Sequence, residues 1–443
     1  MTYGILITIY LLLFTILTWK KFDWGLFLFF LLLPTYLIRF NIGPLPTTLL
    51  EIMFGIIFLI WLFRQVPHIP HSTFQKFLKE NKLLIIGIGL FIIASTISIF
   101  TSTNLRSALG EWKAFYIEPI IMFLILITYS KQNSKFNIQH SIFYPLILSG
   151  LLTSILAIIQ HFTGWLVPEA FWSNNNTFRV TAWYSFPNGV GLFLAPLWPL
   201  ALYSLRYKIQ DINKFQIPNS KFNFLKIKNW SLFVSCTLYL VLSPLAIFYA
   251  KSTGALIGLV AGIGIILLAN KKTRCPAIII AIICFASLIS LTGFSSLKDE
   301  VFFQDRSGQI RLSMWSDTFN FLKDHPIKGA GLASYSEKIE SYHTTVGGEG
   351  IEIFHHPHNI FLTMWVNLGL LGLISFLIIL ISIIKNCFQI SNFKFQIFIL
   401  SSFVIIFTMG LVDSPYIKND LAMFFWLLPA LIIIQKYENL ENT

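Results

Sequence analysis

With 443 residues, 55% of them hydrophobic and only 12% charged, the chain holds about half the charged fraction of an ordinary soluble domain. A mean hydropathy of +0.71 argues against a water-soluble globule. The apolar runs are continuous, which excludes a β-barrel, whose strands alternate apolar and polar residues. The fold class expected is therefore all-α, a polytopic transmembrane helical bundle.

Runs long enough to cross the hydrocarbon, roughly 17–25 residues each, fall at 2–19, 23–40, 46–64, 83–101, 112–129, 141–162, 188–206, 230–250, 253–270, 275–293, 359–384, 395–412 and 420–435. The hairpin signal at Gly43-Pro44 leaves twelve spans as the alternative to thirteen. The first run has no basic segment before it and no small-residue cleavage site after it. Lys20-Lys21 follow it as an anchor would, so it is expected to remain in place.

The net charge of +12 would suit nucleic acid if it were gathered on one face, but it follows the loops instead. Lys20-Lys21, Arg64, Lys76, Lys79, Lys82, Lys131, Lys135, the run from Arg206 to Lys228, Lys271-Lys272, Arg274, Lys385, Lys394 and Lys436 fall in alternate loops. The positive-inside rule makes that side cytoplasmic. The N-terminus then lies outside, the C-terminus inside, and the long segment 294–358 outside. Cys236, Cys275, Cys284 and Cys387 lie in or beside spans, so no disulfide framework or CxxC metal site is implied.

The basic residues left in external segments draw attention, because ionisable groups at the end of an apolar helix tend to face the protein interior or a wet cavity. Arg179 precedes an aromatic run and Pro187-Asn188-Gly189, a break followed by a helix for which Asn188 is the expected N-cap. It reads either as part of a loop folded back over the bundle or as a residue snorkelling to the lipid interface. In the long loop, Ser307–Lys323 has helical spacing with Leu312, Trp315, Phe319 and Leu322 on one stripe and Arg311 and Asp317 off it. This predicts an amphipathic helix on the membrane surface or against the bundle, with Arg311 either near its mouth or simply solvated. His355-His356-Pro-His358-Asn359 closes the loop. Its spacing matches no common zinc pattern, the nearest acids being Glu349 and Glu352, so no metal is expected. Histidine titrates nearest neutrality, which makes His358 a candidate proton acceptor. No Walker A, GxGxxG, HExxH or GxSxG motif occurs.

The sequence resembles the O-antigen ligase / O-antigen polymerase family of membrane glycosyltransferases. His358-Asn359-x9-Gly369-x-x-Gly372 matches the family's loop-terminal motif at each fixed position. Arg311-x-x-x-Trp315 with Pro326-x-x-Gly329-x-Gly331, Arg179 with Pro187-Asn188, and Asp413-Ser-Pro415 before Leu421–Trp426 resemble its other segments in order. The resemblance spans roughly 160–430, and the first spans match in hydropathy alone. One segment departs: the family's Ser-Arg-Gly before the ninth span is Lys251-Ser252-Thr253-Gly254 here, a point charge in place of a bidentate clamp.

The resemblance implies a GT-C-like bundle divided into N-terminal helices (1–162), a ligase-like core (163–430) and a cytoplasmic tail (431–443). It implies a metal-independent glycosyltransferase, without cofactor, that moves a glycan from an undecaprenyl-diphosphate carrier to a glycan, lipid or protein acceptor hydroxyl. The reaction is expected at the outer face of the plasma membrane. On that reading Arg179 and Arg311 stabilise the departing diphosphate, Lys251 assists, and His358 is the base. Asn359, Tyr342 and His356 orient that ring or bind sugar. The alternatives are a flippase or transporter of lipid-linked sugars, for which no inverted repeat is evident, and a protein O-oligosaccharyltransferase.

Overall fold

Apolar sequence without internal breaks forms helices wherever backbone groups cannot bond to water, and helices dominate the computed structural model. It describes all residues except 1, 44, 70, 134–135, 215–229, 291–294, 347–348, 351–352 and 442–443. Pro44, Lys135, Lys221, Lys226, Lys228, Glu352 and the end of the expected span 275–293 lie outside the described residues. The helices that matter here are α1 (Thr2–Lys20), α2 (Phe22–Leu31), α3 (Leu49–Arg64), α4 (Lys82–Phe100), α5 (Leu105–Gln132), α6 (Gln139–Thr163) and α7 (Asn188–Tyr207). They continue as α8 (Trp230–Tyr249), α9 (Thr253–Ala269), α10 (Arg274–Ser290), α11 (Arg306–Asp324), α12 (Ile360–Cys387), α13 (Phe393–Gly410) and α14 (Asn419–Glu441).

Among the described residues, nine helices are long and apolar enough to cross a membrane, and the apolar stretches of α1, α2, α9 and α10 are shorter. The expected span 23–40 is corrected. Its helix stops at Leu31, Pro34 opens a 3-10 turn over Leu33–Leu37, and Arg39–Ile42 (β1) pairs with Leu45–Thr48 (β2) in a hairpin. The ten residues of α2 rise about 15 Å, half the hydrocarbon thickness. Thr48 and Glu51 then start α3 with a reciprocal capping box. The four cysteines are free.

The chain divides into two compact units. Unit 1 comprises Met1–Pro70, Ile121–Leu259 and Asn392–Ile405, and unit 2 comprises His71–Ile120, Val260–Ser391 and Ile406–Thr443. In unit 1, α6 packs on α8, where Gly150 admits the ring of Tyr239, whose hydroxyl donates to the Leu194 carbonyl at 2.5 Å. In unit 2, α4 and α12 run side by side, with Phe91 against Phe376. Tyr416 completes that aromatic core, accepting from Trp426 Nε1 at 2.9 Å and donating to the Phe115 carbonyl at 2.8 Å.

The expected amphipathic helix exists as α11, capped by Asp305, but it buries a different face. Met314, Asp317, Thr318 and Phe321 are buried together with Leu322 of the expected stripe, and Trp315 of that stripe packs against them half-buried, whereas Leu312 and Phe319 are exposed. Asp317 can be buried because Thr344 donates to its carboxylate from both backbone nitrogen and hydroxyl, at 3.3 and 3.0 Å.

Candidate active site

The geometry of unit 2 gathers at one short turn, Leu411–Ser414, between α13 and α14. Three of its four residues are held by groups from the motifs singled out in the sequence, and the fourth by Thr363 in the spacer after Asn359. Leu411 O accepts from Asn359 Nδ2 at 3.1 Å, and Val412 O accepts from Arg311 Nε at 3.0 Å. Asp413 Oδ1 meets His358 Nδ1 at 3.2 Å, and Ser414 Oγ meets Thr363 Oγ1 at 2.8 Å. Asn359 is the N-cap of α12 and accepts from Phe361 N and Leu362 N, so its side chain fixes the helix start as well as the turn.

His358 is poised by several constraints at once. Its backbone takes φ 46°, a left-handed conformation uncommon for a side chain of this size. Its ring lies 5.0 Å from Phe354 and 4.7 Å from His356, both edge-on, and its side chain is 19% exposed. One turn apart on α11, Arg311 reaches Val412 while Trp315 donates from Nε1 to the Pro357 carbonyl at 2.9 Å. The Arg-x-x-x-Trp spacing thus ties the Leu411–Ser414 turn and the histidine loop to one helix, a consequence of i and i+4 sharing a helix face. Arg311 also donates from Nη1 to Ser307 at 2.7 Å.

Electrostatics follow the packing. Burial alone would raise the Asp413 carboxyl, but His358 beside it, with His356 and the Ser414 amide, holds it well below the usual carboxylate range. Burial, and the neighbouring His358, lower His356 to about 3, so its ring is neutral at physiological pH. Its Nδ1 is buried without a hydrogen-bond partner. Among the described residues, His356, His358 and Asp413 offer ligand atoms within 4.8 Å of one another and form a set that could hold a metal ion. Sequence spacing missed this set because its acid comes from 55 residues further along the chain.

The loop is locked to α12 through a broken helix. Gly369 adopts φ 70° and ψ −174°, and Leu370 N, denied its helical partner, donates to Ile327 O at 3.1 Å. Val366 O instead accepts from Ala330 N at 2.6 Å. A Cβ on Gly369 would strike Ile327 O, and one on Gly329, at φ 61°, would strike Val366 O. The spacing from His358 to Gly369 is therefore the length of helix between the cap and the dock. Lys338, one of the basic residues of the long loop, is occupied by the carbonyls of Thr101 and Ala330 at 2.8 and 2.6 Å.

The other candidates lie elsewhere. Tyr342 donates to Asp324 Oδ2 at 2.6 Å and packs on Phe321, toward the C-terminal end of α11. In unit 1, Arg179 donates from Nε to Ala250 O at 3.0 Å and from Nη2 to Lys251 O and Asn188 Oδ1 at 2.8 and 3.1 Å. It holds the carbonyls of the turn just beyond α8 and lies 5.4 Å from the Trp172 ring centroid. Lys251 sits on that turn at φ 50°. Asn188 is not the N-cap expected: Pro187 holds that position, and the Asn188 side chain serves Arg179 instead. The loop is tied to α6 by buried Gln160, which accepts from Thr181 N and Ala182 N and donates to Ala182 O.

Sequence reasoning assigned no role to Asp413 or Trp315, although both stood in quoted motifs. An acid set between two apolar spans was the available signal for Asp413.

Residues 238–377 match the sequence model of a family described as O-antigen ligase. A protein of Rickettsia conorii, named provisionally as a polysaccharide ligase, is 30% identical over 107 residues. That stretch covers 23% of this chain and 26% of the relative, so the match spans about a quarter of the relative's length.

Proposed function

We propose that this chain, a member of the O-antigen ligase family, transfers a glycan from an undecaprenyl-diphosphate carrier to an acceptor hydroxyl at the outer face of the plasma membrane. The observation that carries the reading is the His358–Asp413 pair on the Leu411–Ser414 turn. With Asp413 ionised, His358 donates its Nδ1 proton to the carboxylate, which leaves Nε2 as the acceptor of a proton. The acceptor oxygen, losing its proton to Nε2, bonds to the anomeric carbon as the bond from that carbon to the diphosphate oxygen breaks. The electron pair leaves with the diphosphate, and cations stabilise the charge that develops.

Arg311 supplies one such cation from the helix that clamps the histidine loop. Arg179 and Lys251 keep the role the sequence suggests, binding diphosphate oxygens, and the support in unit 1 is that Arg179 builds the turn that carries Lys251. The charge asymmetry of the loops supports the external orientation. The reaction is proposed to be metal-independent. His358 Nδ1 and Asp413 Oδ1 are engaged with each other, and coordination through these atoms would dismantle the base.

The test is purified enzyme with a defined undecaprenyl-diphosphate glycan, its products weighed by mass spectrometry. A ladder identifies a polymerase, and a single adduct on lipid or protein a ligase. His358→Ala should lower the rate by about 10²–10⁴-fold, the contribution of a positioned general base, and EDTA should leave the wild-type rate unchanged. Intact carrier bonds together with movement of the lipid-linked glycan across vesicles would identify a transporter and overturn the reading.

A further inference from the structure

At the end of unit 1 away from Arg179, α1, α3 and α5 finish and α2 and α6 begin around a cavity of about 520 Å³. We propose that this cavity binds the headgroup of an anionic, hydroxyl-bearing phospholipid, with Lys20, Lys21 and Arg64 on the phosphate and Asp23 on a headgroup hydroxyl. The inference is independent of the glycosyl-transfer reading.

Three cations and one carboxylate line the cavity. Arg64 is fixed there, donating from Nη1 to the Trp19 carbonyl and lying 4.9 Å from the Trp19 ring centroid. Lys20 and Lys21 are exposed, and among the described residues neither ammonium has a hydrogen bond or ion pair. Two exposed ammonium groups beside a guanidinium fixed on the same cavity suit a phosphate ester. Asp23 supplies the second half of the recognition. Tyr129 bonds to its carboxylate, yet its Oδ1 is buried without a partner. A buried acceptor in that state is costly until a donor meets it. A phosphate offers none, whereas a headgroup hydroxyl does.

The surroundings select a lipid over a free phosphate ester. Trp19 and Trp24 are 52% and 41% exposed at the rim, the placement of rings at a headgroup level. One to two turns before them, Leu12, Leu13 and Ile16 of α1 are exposed and offer a track for an acyl chain.

The experiment is native mass spectrometry of the full-length protein in detergent, titrated separately with phosphatidylglycerol, phosphatidic acid and phosphatidylcholine, with glycerol phosphate as soluble competitor. Phosphatidylglycerol should be retained about tenfold more strongly than phosphatidylcholine, the scale of 1.4 kcal/mol. Lys20→Gln with Lys21→Gln, both at exposed positions, should erase that difference, and Arg64→Lys should keep most of it. Asp23→Asn should preserve discrimination against phosphatidylcholine and lose the preference for phosphatidylglycerol over phosphatidic acid. Equal retention of all three lipids, or unchanged retention in the lysine variant, overturns the site. Displacement of phosphatidylglycerol by an equal concentration of glycerol phosphate overturns the lipid assignment.

Discussion

At the scale of single residues, the hub depends on a charged carboxylate facing two imidazoles. Asp413→Asn keeps the size of the side chain but offers an amide in place of an acceptor-only carboxylate. His358 then no longer has a fixed proton on Nδ1, and glycan transfer should fall by about 10²-fold or more while donor binding persists. Donor binding and turnover measured separately will decide it, and an unchanged rate would remove Asp413 from the mechanism. His356 carries a second expectation. Its folded value is lowered to about 3 from an ordinary 6.5, so the unfolded chain takes up its proton first as pH falls. Its contribution to stability is complete above about 6.5 and declines toward 3, and the lowered Asp413 carboxyl adds a loss in the same direction at the acid end. Thermal melts should therefore drop between about pH 7 and about pH 4.5, and His356→Asn should flatten that slope.

At the scale of elements, the break in α12 falls at a glycine whose backbone conformation requires it. Gly369 occupies a region of φ and ψ open essentially to glycine, where another residue costs roughly 1–3 kcal/mol before any clash. Gly369→Ala must also displace the Ile327 carbonyl, so it should lower thermal stability and uncouple residues 327–330 from α12. Faster amide exchange at Ala330 and Leu370 would report that uncoupling, and wild-type exchange would refute it. The motif spacing was legible in the sequence; the docking it serves was not, because no local pattern reveals that residues 327–330 enter a helix forty residues away. The α11 stripe shows the opposite failure. Apolar periodicity assumes water on the far face, yet α11 leaves Leu312 and Phe319 exposed and buries an aspartate that Thr344 satisfies. Helix existence survived that shift, since Asp305 caps it and the spacing is helical; of the expected inward stripe only Trp315 and Leu322 remained.

At the scale of the whole molecule, hydropathy located the long helices well and overcounted at 23–40, where a proline and a hairpin interrupt an apolar run. The charge asymmetry makes a direct topological forecast. A reporter inserted between α10 and α11 should be active on the external side, and one after Lys272 on the cytoplasmic side; the reverse would sink both orientation and mechanism. The interlock at Gly369 bears on how such an enzyme spends its cycle. Lifting residues 325–332 away would strand the Val366 carbonyl and the Leu370 amide, two strong polar groups inside a packed bundle. The segment is therefore built as masonry and not as a hatch: on the proposed reading, the His358 loop stands beside a segment fixed before substrate arrives, and the motions of turnover are to be sought outside residues 325–332.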